Sequence, residues 1–136
     1  MMVVDIGLGL VMHAIGDYVL QSHWMATQKT TSLRVAAVHA LAYSTPFVAA
    51  FVIGLSPLSP AAWLVIVSTH AIIDRWRLAR YVVWLKEHLA PHAPPPFADT
   101  AGGYPKDAPV WLVTWLVIIV DNVMHIVINT LALRFM

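Results

Sequence analysis

Hydrophobic residues dominate four long stretches of the chain, each close to the length of a membrane-spanning helix. The stretches cover residues 3–20, 33–55, 61–85 and 110–135. About 20 apolar residues cross the hydrocarbon core of a bilayer as a helix, so the first stretch is long enough if Asp5 lies at the interface. The pattern predicts an all-α membrane protein, a four-transmembrane-helix bundle with both termini on the same side.

Three connections separate the predicted spans. Residues 21–32 are mostly polar, and Trp24 is placed there as a headgroup-level anchor. Residues 56–60 form a short proline-containing turn. Residues 86–109 form a long loop whose prolines and paired glycines exclude a continuous helix. Because 136 residues suffice for one domain, we predict a single transmembrane domain over residues 1–136.

Ionisable residues recur inside the apolar stretches at a fixed spacing. The first and third stretches each contain a histidine four residues before an aspartate, the fourth contains the reverse order, and the second contains one more histidine. Residues four apart share a helix face, and ionisable groups inside a membrane are costly. We therefore expect these side chains to meet in the cytoplasmic half of the bundle. They are His13, Asp17, His39, His70, Asp74, Asp121 and His125.

Imidazole and carboxylate groups in this number indicate a metal centre. Buried ionisable groups need partners or a cation, and this ligand set suits a divalent transition metal, with zinc preferred and iron or manganese also compatible. Four imidazoles and three carboxylates exceed the needs of one tetrahedral ion, so one or two ions are expected. Each aspartate would either ligate directly or orient a ligating imidazole.

Three other interpretations of the same residues remain open. Intramembrane His and Asp can simply hydrogen-bond between helices. Paired imidazoles could ligate haem, although haem ligation does not call for a carboxylate one turn from each histidine. Alternating His and Asp could also line a proton or ion pathway.

Composition supports lipid as the solvent and excludes some classes of partner. The chain is 60% hydrophobic and 11% charged, with a mean hydropathy of +0.73, whereas a soluble domain carries about twice that charged fraction. A net charge of +1 gives no electrostatic support for a nucleic-acid partner. The absence of cysteine excludes disulfides and cysteine-ligated metal sites. Membrane lipids are the expected partners.

Basic residues are distributed unequally between the two sides of the predicted bundle. The positive-inside rule assigns the side richer in Lys and Arg to the cytoplasm. We therefore predict a multi-pass protein of the bacterial inner membrane, with termini outside and the long loop inside. Seven basic residues fall on the first and third connections and only Arg134 on the other side: Lys29, Arg34, Arg75, Arg77, Arg80, Lys86 and Lys106.

Several motifs resemble those of an uncharacterised family of small integral membrane proteins of bacteria and their phages. That family commonly has Gln after the aspartate of its last motif, where this chain has Asn122. The chain is also similar, more loosely, to putative membrane-bound metal-dependent hydrolases. The motifs are His-Ala-Ile-Gly-Asp-Tyr-Val-Leu-Gln at 13–21, Lys29, His-Ala-Leu at 39–41, His-Ala-Ile-Ile-Asp at 70–74 and Asp-Asn-Val-Met-His at 121–125.

The predicted function is metal-dependent hydrolysis of a lipid-linked or amphipathic ester or phosphoester. The four histidines would ligate the metal, and an aspartate (Asp17, Asp74 or Asp121) would bridge, ligate or act as general base. Gln21 or Asn122 could donate a hydrogen bond to a developing oxyanion. The alternative is a non-enzymatic protein that binds or transports metal or protons. We interpret the loop histidines, His88 and His92, as solvated.

Overall fold

The protein is mostly helical in a computed structural model that describes residues 6–91 and 93–136. The helical class predicted from the sequence is therefore confirmed. The predictions for Asp5 and His92 fall outside the described residues. The described part contains six α-helices: α1 Ile6–Ala14, α2 His23–Gln28, α3 Leu33–Val52, α4 Pro60–Trp76, α5 Ala79–Glu87 and α6 Val110–Phe135.

The first apolar stretch is not a uniform α-helix. Helix α1 is followed directly by a π-helical turn over Ile15–Val19, closed by a hydrogen bond from the Leu20 N–H to the Ile15 carbonyl at 3.0 Å. A π turn closes its hydrogen bond between residues i and i+5 rather than i and i+4, and such turns are frequent at functional sites. Asp17 lies inside this turn.

Serine side chains start the next two helices. The Ser22 hydroxyl accepts a hydrogen bond from the Met25 N–H at the start of α2, and Ser32 accepts from the Val35 N–H at the start of α3. Each cap satisfies an N–H that the helix leaves without a backbone partner. The polar connection predicted between the first two spans thus contains a short helix of its own.

The third apolar stretch, predicted as one element over 61–85, is divided into two helices. Helix α4 ends at Trp76, and the next residue, Arg77, has a φ of 50°. This left-handed conformation is unfavourable for a side chain other than glycine and ends a helix in the manner of a C-terminal cap. Helix α5 then begins at Ala79.

The long loop contains small regular elements that its composition does not predict. A 3₁₀ turn at Phe97–Asp99 leads into strands β1, Thr100–Ala101, and β2, Tyr104–Pro105, which pair antiparallel. Gly102 and Gly103 connect them with φ values of +60° and +96°. Only glycine adopts such values readily, so the paired glycines permit this hairpin.

Two compact units make up the chain. One comprises the described residues up to Trp76 together with His125–Met136, and the other comprises Arg77–Met124. The prediction of a single domain is not tested by this division. The core of the first unit draws on α1, α3, α4 and the end of α6, through Met12, Tyr43, Phe47, Ala50, Ala62, Ile66, Ala132 and Leu133.

Two of the described helices are long and apolar enough to cross a membrane. Helix α3 has 20 residues and α6 has 26, which correspond to about 30 Å and 39 Å at 1.5 Å per residue. The apolar segment Ile6–Val19 is shorter, and α4 has 17 residues. The four-span bundle accordingly stays a prediction.

Candidate metal centre

Four ionisable side chains from three elements of the first unit converge in its interior. The π turn supplies Asp17, α3 supplies His39, and α4 supplies His70 and Asp74; all four are buried. The two imidazole Nε2 atoms are 3.0 Å apart. One ligand atom from each residue lies within 4.8 Å of those of the other three. A buried group of this kind could hold a metal ion.

The α4 members meet because this helix is regular where they lie. His70 and Asp74 are one turn apart, and the His70 Nε2 is 3.2 Å from the Asp74 Oδ2. The same carboxylate oxygen is 3.1 Å from the His39 Nε2. A single helix face therefore presents a carboxylate and an imidazole together, as the four-residue spacing predicts.

The equivalent spacing in the first stretch leads to a different arrangement. Asp17 Oδ1 lies 3.2 Å from the His39 Nε2, whereas His13 Nδ1 lies 2.9 Å from the Tyr43 hydroxyl. The ring of Tyr18, five residues after His13, makes an edge contact with the His13 ring at 6.4 Å between centroids. The π turn that follows α1 has more residues per turn than an α-helix, so His13 and Asp17 do not share one face as they would on a regular α-helix.

The spacing of the donors is compatible with a small divalent ion. A neutral imidazole has at most one N–H, yet the His39 Nε2 lies within 3.2 Å of His70 Nε2 and of both carboxylates. Four ligands about 2.0–2.1 Å from a tetrahedral ion would be about 3.3 Å from one another. The measured nitrogen–oxygen distances run from 3.1 to 3.9 Å.

Ring packing orients the two imidazoles. The ring of Tyr43 stacks on that of His70, with centroids 3.6 Å apart and planes 10° apart, and the His39 and His70 rings meet at 4.8 Å. Within the described part of the chain, neither the His39 nor the His70 Nδ1 has a hydrogen-bond partner. A ligating histidine usually donates the N–H of its second ring nitrogen to an acceptor. Here ring contacts, rather than such a hydrogen bond, hold the imidazoles in their orientation.

A second polar layer lies against the first. The Asn129 side-chain amide donates to the Tyr43 hydroxyl, which is placed to donate its own hydrogen to His13 Nδ1 at 2.9 Å. The His13 and His125 rings stack at 5.6 Å, and His125 Nε2 is 4.0 Å from Asp74 Oδ1. His13 and His125 thus adjoin the four-donor cluster, and Tyr43 connects the two layers.

A lysine completes the cluster. The Lys29 ammonium lies 2.8 Å from Asp74 Oδ2 and 3.7 Å from Asp17 Oδ1, and 3.2 Å from the His39 Nε2. Lys29 follows the last residue of α2, in the connection between the first two apolar stretches. Its side chain is 15% exposed, against 0–6% for the four donors, so it is the most accessible member of the cluster.

The other residues predicted from the sequence are not members of the four-donor cluster. Asp121 and Asn122 belong to the second unit and are half-buried, with Asp121 one helical turn before His125 along α6. Gln21 follows the π turn, and its Oε1 is a buried atom with no hydrogen-bond partner among the described residues. His88 is exposed on the segment that follows α5, in agreement with its interpretation as a solvated residue.

The sequence predicts the site positions of Tyr43 and Asn129 better than that of Lys29. Tyr43 is four residues after His39 and Asn129 is four after His125, so helical periodicity alone places each near a site histidine. Lys29 has no such signal, because it lies in a polar connection whose folding against α3 depends on tertiary contacts. Only its place among the motifs of the resembled family distinguishes Lys29 in the sequence.

Comparison with known proteins identifies the family and no closer relative. The family described as "Protein of unknown function (DUF3307)" matches residues 6–135, so the chain belongs to it. Comparison with curated proteins and with solved structures gave no significant match. The resemblance to an uncharacterised family is therefore confirmed to that extent, while the specific motifs and the hydrolase resemblance stay predictions.

Proposed function

We propose that this member of a family of unknown function is an integral membrane metalloprotein that hydrolyses a lipid-linked or amphipathic ester or phosphoester. The observation that carries the proposal is the convergence of two imidazole Nε2 atoms and two carboxylates at 3.0–3.9 Å inside the first unit. Zinc is our first choice of ion, and iron and manganese accept the same ligands.

The distribution of side chains supports a membrane environment. Several ionisable residues are buried, including Asp17, His39 and Asp74, while one face of α6 exposes apolar side chains at four-residue spacing. Exposed apolar surface of this extent is unusual on a soluble monomer. The exposed residues of α6 are Trp111, Trp115, Ile119, Val123, Val127 and Leu131.

We further propose that the four apolar stretches all span the bacterial inner membrane. The seven-to-one distribution of Lys and Arg supports termini outside and residues 86–109 in the cytoplasm. Under this topology the connection that carries Lys29 also faces the cytoplasm. The most accessible member of the cluster would then lie toward the cytoplasmic leaflet, where a lipid-linked substrate would enter.

Each residue of the site has a proposed role. Asp17, His39, His70 and Asp74 would hold the ion, which when bound would polarise the scissile group and lower the pKa of a water molecule. Tyr43 would keep the His70 ring in place through the 3.6 Å stack. A ligating carboxylate such as that of Asp74 has a second oxygen, which could accept a proton from the attacking water.

The other predicted roles rest on sequence position. Asp121 and His125 would bind a second ion or orient the first, since they are one helical turn apart. His13 would support His125 through their stacked rings. Gln21 and Asn122 carry amide groups that could donate to an oxyanion.

A purely structural role is the main competing explanation, and Lys29 is the observation that favours it. Its ammonium already lies within ion-pair distance of both carboxylates, so the cluster could connect the π turn, α3 and α4 without a metal. A non-enzymatic metal-binding or metal- or proton-transporting protein is the other alternative. Bound metal in the purified protein would argue against the purely structural role. Catalytic turnover would then distinguish an enzyme from a protein that only binds or transports metal.

The His39–His70 geometry does not favour haem. Axial imidazoles on opposite sides of an iron would have ligating nitrogens about 4 Å apart, at about 2 Å from the metal. The two Nε2 atoms here are 3.0 Å apart. The purified protein should accordingly show no Soret band.

An activity screen tests the enzymatic proposal. Detergent-purified protein is loaded with Zn²⁺ or Mn²⁺ and assayed with chromogenic carboxylic ester, phosphomonoester and phosphodiester substrates. We expect metal-dependent turnover of one class that is lost in His70→Ala and retained in His88→Ala, a control on an exposed histidine. Stoichiometric metal without turnover of any class would leave the non-enzymatic alternative.

A further inference from the structure

The Lys29 ammonium lies against two of the proposed metal ligands. It approaches Asp74 Oδ2 at 2.8 Å and His39 Nε2 at 3.2 Å, on the more accessible side of the cluster. The guanidinium of Arg75 donates to the carbonyl of Thr30, the residue after Lys29. The segment that carries the ammonium is therefore tied to α4, the helix that also carries Asp74.

The charge of the cluster changes sign when a divalent ion binds. With neutral imidazoles, Asp17 and Asp74 contribute two negative charges and Lys29 one positive charge, which leaves a net charge of −1. A divalent ion converts this to +1, because both carboxylates then neutralise the ion. An unpaired buried charge is strongly unfavourable in an apolar environment, so the loaded site favours an anionic ligand.

We propose that Lys29 and the bound ion together form a phosphate-binding site, so that the substrate class is a phosphate ester rather than an uncharged ester. This inference rests on the proposed metal centre. Once the ion neutralises Asp74, the ammonium loses its main counter-charge, and its three N–H donors become available to an anionic oxygen. Lysine serves as a phosphate-binding point charge in many sites, and a phosphoryl group has several oxygens to share between ammonium and ion.

The phosphate could belong to a lipid headgroup or to a water-soluble ester. Both present the same anionic phosphoryl oxygens, and the site geometry favours neither. The distinction is left to the experiment, which uses inorganic phosphate as the first probe and phosphatidic acid, a lipid with a phosphomonoester headgroup, as the second.

Calorimetric titration of the full-length protein in detergent tests the proposal. Manganese is titrated first, alone, and inorganic phosphate is then titrated into metal-free and metal-loaded protein. Wild-type protein should bind phosphate only when loaded. Lys29→Met should keep or increase metal affinity, because a neighbouring cation is removed, and should weaken phosphate binding roughly 10- to 100-fold, the usual range for a hydrogen bond to a charged group.

Two further variants keep the result interpretable. Lys29→Arg retains the positive charge and should retain most of the phosphate affinity. Lys106→Met removes an exposed lysine that pairs with Asp99 and should match the wild type. Metal binding by each variant also shows that its site is folded.

Linkage supplies a second readout. Because coupling between two ligands is reciprocal, phosphate should tighten manganese binding in wild-type protein by the same factor by which manganese tightens phosphate binding. In Lys29→Met this mutual effect should largely disappear. The comparison depends on binding alone and requires no turnover.

The outcomes separate the two proposals. Metal binding with equal phosphate affinity in wild type and Lys29→Met would overturn the Lys29 assignment and leave the metal centre standing. No metal binding by wild-type protein would overturn both. In lipid nanodiscs, competition by phosphatidic acid but not by phosphatidylcholine would assign the site to a lipid headgroup; phosphate binding without such competition would assign it to a soluble phosphate ester.

Discussion

Replacement of Gly16 by alanine tests how closely the π turn must approach α3. A Cβ at position 16 would lie 2.6 Å from the Tyr43 carbonyl oxygen and 2.8 Å from its Cδ2. Ordinary contact begins at 3.4 Å, so the methyl would be roughly 0.8 Å too close to a backbone atom. A backbone carbonyl in mid-helix cannot rotate away, and we expect the π turn to move instead.

The cost can be estimated from packing data. An added methyl in a filled core destabilises by about 1–3 kcal/mol, while alanine in a helical position is favoured over glycine by up to about 1 kcal/mol. We therefore expect a net loss of about 1–2 kcal/mol in the free energy of unfolding. Metal affinity should also fall, because Tyr43 stacks on His70 and Asp17 lies next to the substituted position.

Thermal unfolding in detergent, followed by tryptophan fluorescence, measures the effect. For a chain of this size, 1 kcal/mol corresponds to roughly 3–5 °C in Tm. Gly9→Ala in α1 is the matched control, since no described atom outside its own helix lies within 4 Å of the Cβ it would acquire. A Gly16→Ala variant at least as stable as wild type, or an equal loss in Gly9→Ala, would refute the close approach.

Three other predictions concern the site and the topology. Tyr43→Phe removes the hydroxyl between Asn129 and His13, which should cost about 1–3 kcal/mol of unfolding free energy, but it keeps the stack on His70 and should leave metal affinity nearly unchanged by equilibrium dialysis. Asp74→Asn keeps the side-chain shape and removes its charge. If Asp74 ligates the ion directly, the variant should bind metal more than about 100-fold more weakly than wild type, beyond the range for an outer-sphere partner. A smaller loss would show that Asp74 only orients a ligand. A reporter fused after Arg134 should be active only outside the cytoplasm, and cytoplasmic activity would reverse the proposed orientation.

Regular helical periodicity accounts for the part of the site that the sequence predicts. His70 and Asp74 lie in an unbroken helix, so four-residue spacing places them together. The apolar stretches likewise predict helices at α1, α3, α4 and α6. Their helical class follows from local composition, which a sequence displays directly.

Local irregularity accounts for most of the rest. The π turn separates the contacts of His13 from those of Asp17, and the left-handed Arg77 ends α4 inside an apolar stretch. The π turn contains Gly16, but a glycine in an apolar stretch does not by itself predict a π turn, and no glycine or proline stands at position 77. The approach of Lys29 to the carboxylates depends on how the segment after α2 packs. Such features arise from tertiary contacts that periodicity does not encode.

Metal content of the purified protein tests the central claim most directly. We expect roughly one or two divalent ions per chain by elemental analysis after equilibrium dialysis. His39→Gln and His70→Gln should each lose most of that metal, and the double variant should lose little more, because residues of one site act as a unit. His88→Ala should retain the wild-type content. A wild-type protein without metal, or small and additive losses in the two histidine variants, would show that the buried cluster is a structural ion-pair network.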